Sequence, residues 1–322
     1  MPPDRFVAGG IADVSVIVPA WRAAATIGRA LASIAAQTVT PKEVIVADDG
    51  SDDGTAEAAE AAGRMLSRSR FVLLRTPHGG AGAARNAALK VARGELVAFL
   101  DADDEWLPAK IERSLPHFAA DDIVLVSHDY ALVAKDREIP GNCARHFLRA
   151  RDPAVALFQR NFIATSTVVA RRAAVLGAGG FDSGLPSAQD YDLWLALVLR
   201  PGARFRVFSE DLARCHVMPE SITSRTEERC RCSMVVLKRH APRLRERTSV
   251  PSGPALMRAA IVHYEALRGF IDRGMPLSAA GTALRLPAAF VSAWLAARRS
   301  LPPRSDFLTA ASRSATVLFD KV

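Results

Sequence analysis

Three carboxylates in four residues, Asp101, Asp103 and Asp104, follow at once on the apolar run Leu96-Val-Ala-Phe-Leu100. Such a run reads as a buried strand, so the acids arrive together at its carboxyl end, where α/β sheets hold their ligands. One of them could cap a helix at Glu105-Trp-Leu-Pro-Ala-Lys, but three at one buried tip repel each other unless a cation balances them. On an extended backbone Asp101 and Asp103 point to one side and Asp104 to another. That geometry suits an oxygen-ligated Mg2+ or Mn2+ bridging to a diphosphate.

Other positions carry groups of the same kind. In Asp48-Asp49-Gly50-Ser51 one acid serves a strand-to-helix turn as a cap, which leaves the other to accept from a ligand such as a base-ring N–H. Asp52 and Asp53 read as turn and cap residues. Gly80-Ala-Gly82-Ala-Ala-Arg85, with Asp101 following, approaches a dinucleotide fingerprint, but Arg85 stands where a small residue belongs and the loop follows the third strand instead of the first. Arg85 reads as a cation for a phosphate or ribose, against the alternative of a surface arginine. Asp190 and Asp192 open an apolar helix as caps, or one of these carboxylates enters a site beside Trp194 as a general base, partial desolvation raising its pKa toward the working pH. His216 is a candidate metal or phosphate ligand, and otherwise an ordinary histidine. The four cysteines include Cys230-Arg-Cys232 but lack the partners of a zinc site, so reduced thiols are expected.

The elements that must position these groups alternate. Val14–Val18, Glu43–Ala47, Phe71–Leu74 and Leu96–Leu100 are strand-like. Between them lie helical stretches, the first with Ile27, Leu31 and Ile34 at helical spacing after a Thr26 cap, another from Ala83 to Ala92. Strand-helix alternation predicts an α/β fold with a parallel, doubly wound sheet flanked by helices. Further on, 123–126 reads as a strand, 153–159 as a helix, 165–170 as a strand and 190–199 as a helix. From about residue 225 helices prevail, broken near Pro251 to Pro254, Gly274 to Pro276 and Pro302-Pro303.

With 322 residues, 49% apolar and 24% charged, the chain is long enough for one large domain and a C-terminal region, here divided as 1–224 and 225–322. The net charge of +8 is uneven: residues 225–322 hold 17 Lys/Arg against 7 Asp/Glu, and the rest is nearly neutral. A basic region of this kind meets an anionic surface, lipid or nucleic acid. Phe290, Val291, Trp294 and Leu295 form an apolar stripe on a helix expected to start at Pro287 and to end at Arg298-Arg299, packed on the main domain or inserted shallowly in an anionic membrane. The longest uncharged stretch there, 286–297, falls short of the roughly 20 residues of a membrane helix, so no span is expected. No signal peptide pattern is seen, which predicts a cytoplasmic address, with the basic region able to hold the chain peripherally at the inner face of the membrane.

Taken together, Val14-Ser-Val-Ile-Val-Pro-Ala20, Val46-Ala-Asp-Asp-Gly-Ser51, Ala84-Arg-Asn-Ala87, Gly94-Glu-Leu-Val-Ala-Phe-Leu-Asp-Ala-Asp-Asp104, Gly179-Gly-Phe-Asp182 and Gln189-Asp-Tyr-Asp-Leu-Trp194 resemble the glycosyltransferase family 2 pattern. The resemblance covers residues 14–224 and implies a GT-A type, Rossmann-like, mostly parallel sheet. It also implies an inverting transfer from a nucleotide-sugar, with UDP favoured, to a hydroxyl of a glycan or lipid-linked acceptor. By the same resemblance Pro19, Ala20 and Asp49 line the base pocket, Arg85 lies near the nucleotide, Asp101 near the ribose, and Asp103 ligates Mn2+ or Mg2+. Asp190 is then the general base. His216, followed by Ser221 and Ser224, matches the family's closing segment as a metal or diphosphate contact, while Gln189, Asp104 and Trp194 fall to the acceptor side or support.

Three departures stand out. Gln189 replaces a common acid, Trp21-Arg22 replaces a common asparagine after the first strand, and residues from about 225 have no counterpart. The competing readings are a nicotinamide-dependent oxidoreductase, resting on the 80–85 loop, and a non-enzymatic basic-tailed module that binds nucleic acid or lipid. Nucleic acid is not an expected partner of the leading reading.

Overall fold

The structure, a computed structural model, describes residues 3–8, 10–134, 137–217 and 225–299. Its first half runs β1 (Val7–Ala8), β2 (Ile11–Ala20), α1 (Ile27–Ala35), β3 (Thr40–Asp48), α2 (Thr55–Gly63), β4 (Arg70–Arg75), α3 (Ala81–Val91) and β5 (Leu96–Phe99). There follow β6 (Glu105–Trp106), α4 (Lys110–Ser114), β7 (Ile123–Ala134), β8 (Arg137–Pro140), α5 (Cys143–Arg149), α6 (Pro153–Gln159), β9 (Val169–Arg171), α7 (Arg172–Gly177), α8 (Gln189–Val198) and β10 (Arg204–His216). Three long helices close the described chain: α9 (Thr226–His240), α10 (Ser252–Ile271) and α11 (Pro276–Arg298).

The strands form one sheet in the order β4-β3-β2-β5-β9-β7-β10-β6, with β1 on β2 and β8 on β7. The β4-β3-β2-β5 block and the β7-β10 pair are parallel, whereas β9, β6, β1 and β8 run antiparallel to their neighbours. The expected parallel pairing therefore holds in the β4-β3-β2-β5 block and again in β7-β10, with antiparallel strands between and beside them. The valine- and isoleucine-rich β2 and β3 and the apolar β5 are buried on both faces, as parallel strands with helices on either side must be. Alternation along β2 sends Ile17 to one apolar cluster and Val16 and Val18 to the other, so the sheet is the middle of three layers.

α1 buries Ile27, Leu31 and Ile34 as its spacing predicts, but the Thr26 hydroxyl turns back to the Ala23 carbonyl and makes no cap. At α6 Asp152 does cap, accepting from the N–H groups of Ala154 and Val155, with Pro153 at the first turn. The expected strand 165–170 is in fact a 3-10 turn, Thr165–Thr167, followed by the short β9.

Past residue 225 the helices are not peripheral to the core: Val236, Leu237, Leu244, Ala255, Ala293 and Ala297 share one buried cluster with Phe99 and Trp194. A helix beginning at Pro287 is not found. Pro287 lies inside α11, which starts at Pro276 and runs 23 residues. By length and composition this helix could cross a membrane. The sequence count fell short because it stopped at Arg285, one charge inside an otherwise apolar helix. The breaks near Pro251 and Gly274 hold, while Pro302-Pro303 lies outside the described residues.

Candidate active site

β2 is flanked by β3 on one side and β5 on the other, so the chain changes winding direction between β2 and β5, and the crevice outside their carboxyl ends is where ligands enter such sheets. Ala20, Asp48 and Asp101 exit there. The acids after β5 are not on an extended backbone. Residues 101–104 form a turn closed by the Asp104 N–H donating to the Asp101 carbonyl at 3.0 Å, so the same-side geometry expected from strand alternation is replaced by a fan. Nor does any of them cap a helix before Trp106, because Glu105-Trp106 is a strand.

Each acid has its own surroundings. Asp101 accepts from Arg85 Nη2 at 2.5 Å and remains a third exposed. Arg85 is itself buried, its guanidinium 5.2 Å from the Phe181 ring, and its Nε and Nη1 have no partner among the described residues. It is therefore not a surface arginine. Two unspent buried donors beside Asp101 suit an anionic or ribose oxygen. Asp103 is pushed up to about 6, first by burial and then by the Asp101 charge. Arg29 meanwhile donates to its backbone carbonyl. Asp104 is buried, accepts from Ser166 Oγ at 2.5 Å and from the His216 N–H at 2.9 Å, and is raised to about 7 by burial and then by the Asp101 and Asp103 charges.

His216 reaches this point through register: β10 pairs with β6 at Ala213–Trp106 and Arg214–Glu105, which brings the end of β10 alongside the acid turn. Its Nε2 lies 3.3 Å from Glu105 Oε1. Cys215, which sequence reasoning passed over, sits half-buried beside Asp104, its thiol pushed well up by desolvation and then by that carboxylate. Among the described residues no three His, Cys, Asp or Glu side chains stand ready to hold an ion by themselves. Desolvated oxygen donors, few in number, fit a hard divalent ion that takes its other ligands from substrate phosphates and water. Ser221 and Ser224 lie outside the described residues.

Asp190 lies in the first turn of α8 and accepts from Thr165 Oγ1 at 2.9 Å. Its neighbour in the 3-10 turn, Ser166, donates to Asp104, accepts from the Asp101 N–H at 3.1 Å, and offers its carbonyl to Trp106 Nε1 at 2.7 Å. One turn thus holds both the acid fan and Asp190, a link that no local pattern announces. Asp192 caps nothing. It faces away from the fan, held by Arg239 Nη1 at 2.6 Å and His240 Nε2 at 2.8 Å, and Arg239 also reaches Asp182 at 2.8 Å. Gln189 is buried, and Gly82 packs close enough that a Cβ there would meet it at 3.4 Å. Trp194 makes no contact with solvent: it is fully buried between Phe99 and Phe181, a core position that leaves it support, not acceptor contact, of the two expected places.

On the other wall Asp49 is buried, accepting from the Gly79 and Gly80 N–H groups at 2.9 and 2.8 Å, with His78 Nδ1 2.9 Å away. The glycine loop is thereby tied to Asp49, and a base N–H would use the carboxylate's remaining lone pairs. Pro19 and Ala20 are buried at the end of β2, where the Ala20 carbonyl accepts from the Asp49 N–H at 2.8 Å. Next to them Trp21, 43% exposed, lies over the His78 ring at 4.2 Å. This flat apolar surface was noted in the sequence only as a departure. Asn86 joins two of the motifs by donating to the Phe181 carbonyl and accepting from its N–H, and Gly180, at φ +72, leaves room that a Cβ would close to 2.6 Å from Asn86.

A family model described as Glycosyl transferase family 2 matches residues 15–176. The Escherichia coli UDP-Glc:alpha-D-GlcNAc-diphosphoundecaprenol beta-1,3-glucosyltransferase WfaP is 31% identical over 189 residues, which cover 58% of this chain and 70% of WfaP. The Rhizobium meliloti (strain 1021) succinoglycan biosynthesis protein ExoU is 33% identical over 215 residues, 61% of this chain and 59% of ExoU. Of the other curated relatives most are matched over smaller shares, down to 31% of their length. Among solved structures, S. aureus TarS 1-349 in complex with UDP-GlcNAc superposes with a TM-score of 0.64 at 21% identity, covering 88% of this chain and 89% of that one. The Pyrobaculum calidifontis mannosyltransferase PcManGT in complex with GDP-Man and Mn2+ gives 0.54 at 22% identity, over 88% and 86%. These likenesses, together with a glycine loop that follows the edge strand β4 and is spent on Asp49, displace the nicotinamide and non-enzymatic readings.

Proposed function

Since the chain belongs to glycosyl transferase family 2 and is a glycosyltransferase of the GT-A fold, we propose that it is an inverting, metal-dependent enzyme that moves a sugar from a UDP-sugar to a hydroxyl of a lipid-linked or growing glycan. The observation that carries this reading is the 3-10 turn, whose adjacent residues Thr165 and Ser166 bond Asp190 and the acid fan respectively. Two carboxylate functions fixed by one short segment are what a donor side and an acceptor side of a single cleft require.

In this reading Asp49 accepts the base N–H, the Trp21–His78 surface and Pro19-Ala20 flank the base, and Asp101 with Arg85 takes the ribose and nearby phosphate. Asp190 accepts the acceptor hydroxyl's proton as that oxygen attacks the anomeric carbon. The bond to the diphosphate breaks on the opposite face and the centre inverts. Mn2+ or Mg2+, held by Asp103 with His216 nearby, would neutralise the departing diphosphate. Asp104 braces the fan through Ser166 and His216, and Gln189 supports α8. Relatives named for carrier-lipid and polysaccharide substrates support the acceptor class, and such an acceptor would place the enzyme at the cytoplasmic face of a membrane.

The test is a pair of variants. Asp103→Ala abolishes donor hydrolysis and transfer alike. Asp190→Asn keeps UDP and Mn2+ affinity by calorimetry while transfer falls by about 10²–10⁴-fold. Transfer retained in Asp190→Asn removes that residue as the base.

A further inference from the structure

α11 is inside out. The face it buries is made of small residues, Ala279, Thr282, Ala289, Ala293, Ala296 and Ala297. The face it shows to solvent carries the large apolar ones: Leu277 and Leu284 are 88% and 82% exposed, and Val291, Trp294 and Leu295 follow at the same helical spacing. From Leu277 to Leu295 this stripe is about 27 Å long. A contiguous exposed stripe of large apolar side chains marks a surface that meets a partner or a membrane.

The charges on the helix decide what that is. α11 holds no Asp or Glu, and its exposed charges are Arg285 and Arg298, with Arg299 just beyond its end. Arg285 lies 3.5 Å from Glu227, both mostly exposed, and Arg298 stacks over the Trp294 ring at 3.9 Å. Two copies of the chain pressed together along this stripe would set arginine rows side by side with no carboxylate on the helix to answer them. An anionic bilayer answers both the apolar side chains and the cations, and tryptophan beside arginine is the composition of a headgroup boundary. The opposite face of α11 is locked into the apolar cluster that contains Trp194, so the helix meets a bilayer lying flat, not threaded through it.

We infer that the outer face of α11 docks the protein onto an anionic lipid surface, with Leu277, Leu284, Val291 and Leu295 entering the headgroup boundary and Arg285, Arg298 and Arg299 pairing with lipid phosphates. The inference rests on the proposed lipid-linked acceptor for its purpose, which is to hold the catalytic crevice at the surface where such an acceptor lies.

The experiment is co-sedimentation of the full chain, without donor or metal, with phosphatidylcholine vesicles containing or lacking phosphatidylglycerol. The intact protein sediments with the anionic vesicles and not with the neutral ones. Leu284→Gln/Leu295→Gln binds about tenfold more weakly, whereas Leu148→Gln, an equally exposed apolar site on α5, does not change. Circular dichroism and donor hydrolysis confirm that each variant is folded. Equal binding to neutral vesicles, undiminished binding by the double variant, or a dimer in size-exclusion chromatography that the double variant dissociates without any vesicle binding overturns the inference. Because vesicle binding is read without sugar transfer, its failure leaves the proposed function standing, and the reverse also holds.

Discussion

Arg239→Met tests whether the C-terminal helices hold α8, which carries the proposed base Asp190, in place. Asp192 lies two residues after Asp190 on α8, largely buried, and among the described residues its carboxylate is bonded from α9, by Arg239 at 2.6 Å and His240 at 2.8 Å. His240 Nδ1 is buried without a partner among the described residues, and burial holds this imidazole below its ordinary pKa, so it is the neutral Nε2–H tautomer that donates. Arg239 is therefore the cation hydrogen-bonded to Asp192. Methionine keeps much of the stem's volume and removes the charge. A hydrogen bond to a charged group contributes about 1.5–3 kcal/mol and stranding a buried charge costs about 3–5, reduced here because Arg239 is a third exposed. The Asp182 contact, exposed by a third on both sides, adds less than about 1 kcal/mol. The expected loss is about 2–3 kcal/mol.

The pH dependence carries the sign. Burial alone would raise the Asp192 carboxyl, but the His240 hydrogen bond and then the Arg239 charge hold it below the ordinary range. A depressed folded pKa gives stability that is present above the unfolded value and lost as pH falls through the folded one. Without Arg239 the burial cost is less offset, the folded pKa climbs, and protonation relieves the variant at acid pH. In urea titrations the deficit is therefore largest near pH 7 and shrinks toward about pH 4. A deficit under about 0.5 kcal/mol, or one that ignores pH, refutes the clamp.

Two further outcomes follow from the site. Asp103 and Asp104 are raised to about 6 and about 7, so the stability they contribute is present below the unfolded carboxyl pKa and lost as pH rises through those values. The metal-free protein should melt lower at pH 8 than at pH 5.5, and Mn2+ should raise the melting temperature more at pH 8; a melting temperature insensitive to both speaks against a cation at the fan. Trp21→Ala should weaken UDP binding by about 1–3 kcal/mol if the Trp21–His78 surface stacks the base, and an unchanged calorimetric affinity removes it from the pocket.

What could be read from the sequence was whatever repeated locally. Valine-rich β2 and β3, the apolar β5 and the spacing of Ile27, Leu31 and Ile34 reflect burial period directly, and the acids at 48–49 and 101–104 stood out by position. β10 escaped notice because its apolar residues are interrupted at Ser209-Glu210-Asp211, where its register on β7 shifts. Thr165 and Ser166 looked like strand residues, and their role exists only through contacts with residues 62 or more positions away at Asp104 and 25 away at Asp190. Arg239 and His240 were similarly hidden, because a charged helix end reads as solvated until α8 is packed on it. Trp194 was left between acceptor side and support because its proximity to Asp190 in sequence says nothing about which side of α8 it occupies.

The strand at one end of the sheet has a bearing on how the protein behaves at high concentration. Among the described residues β4 pairs on one side only, and its other side is the usual template for strand addition by another chain. Its four apolar residues are bracketed by Arg70 and Arg75, each anchored by a carboxylate, Glu43 at 2.8 Å and Glu57 at 2.9 Å. A second copy approaching in register would have to bring like charges against both ends of so short a run, so the open edge resists templated aggregation without being covered.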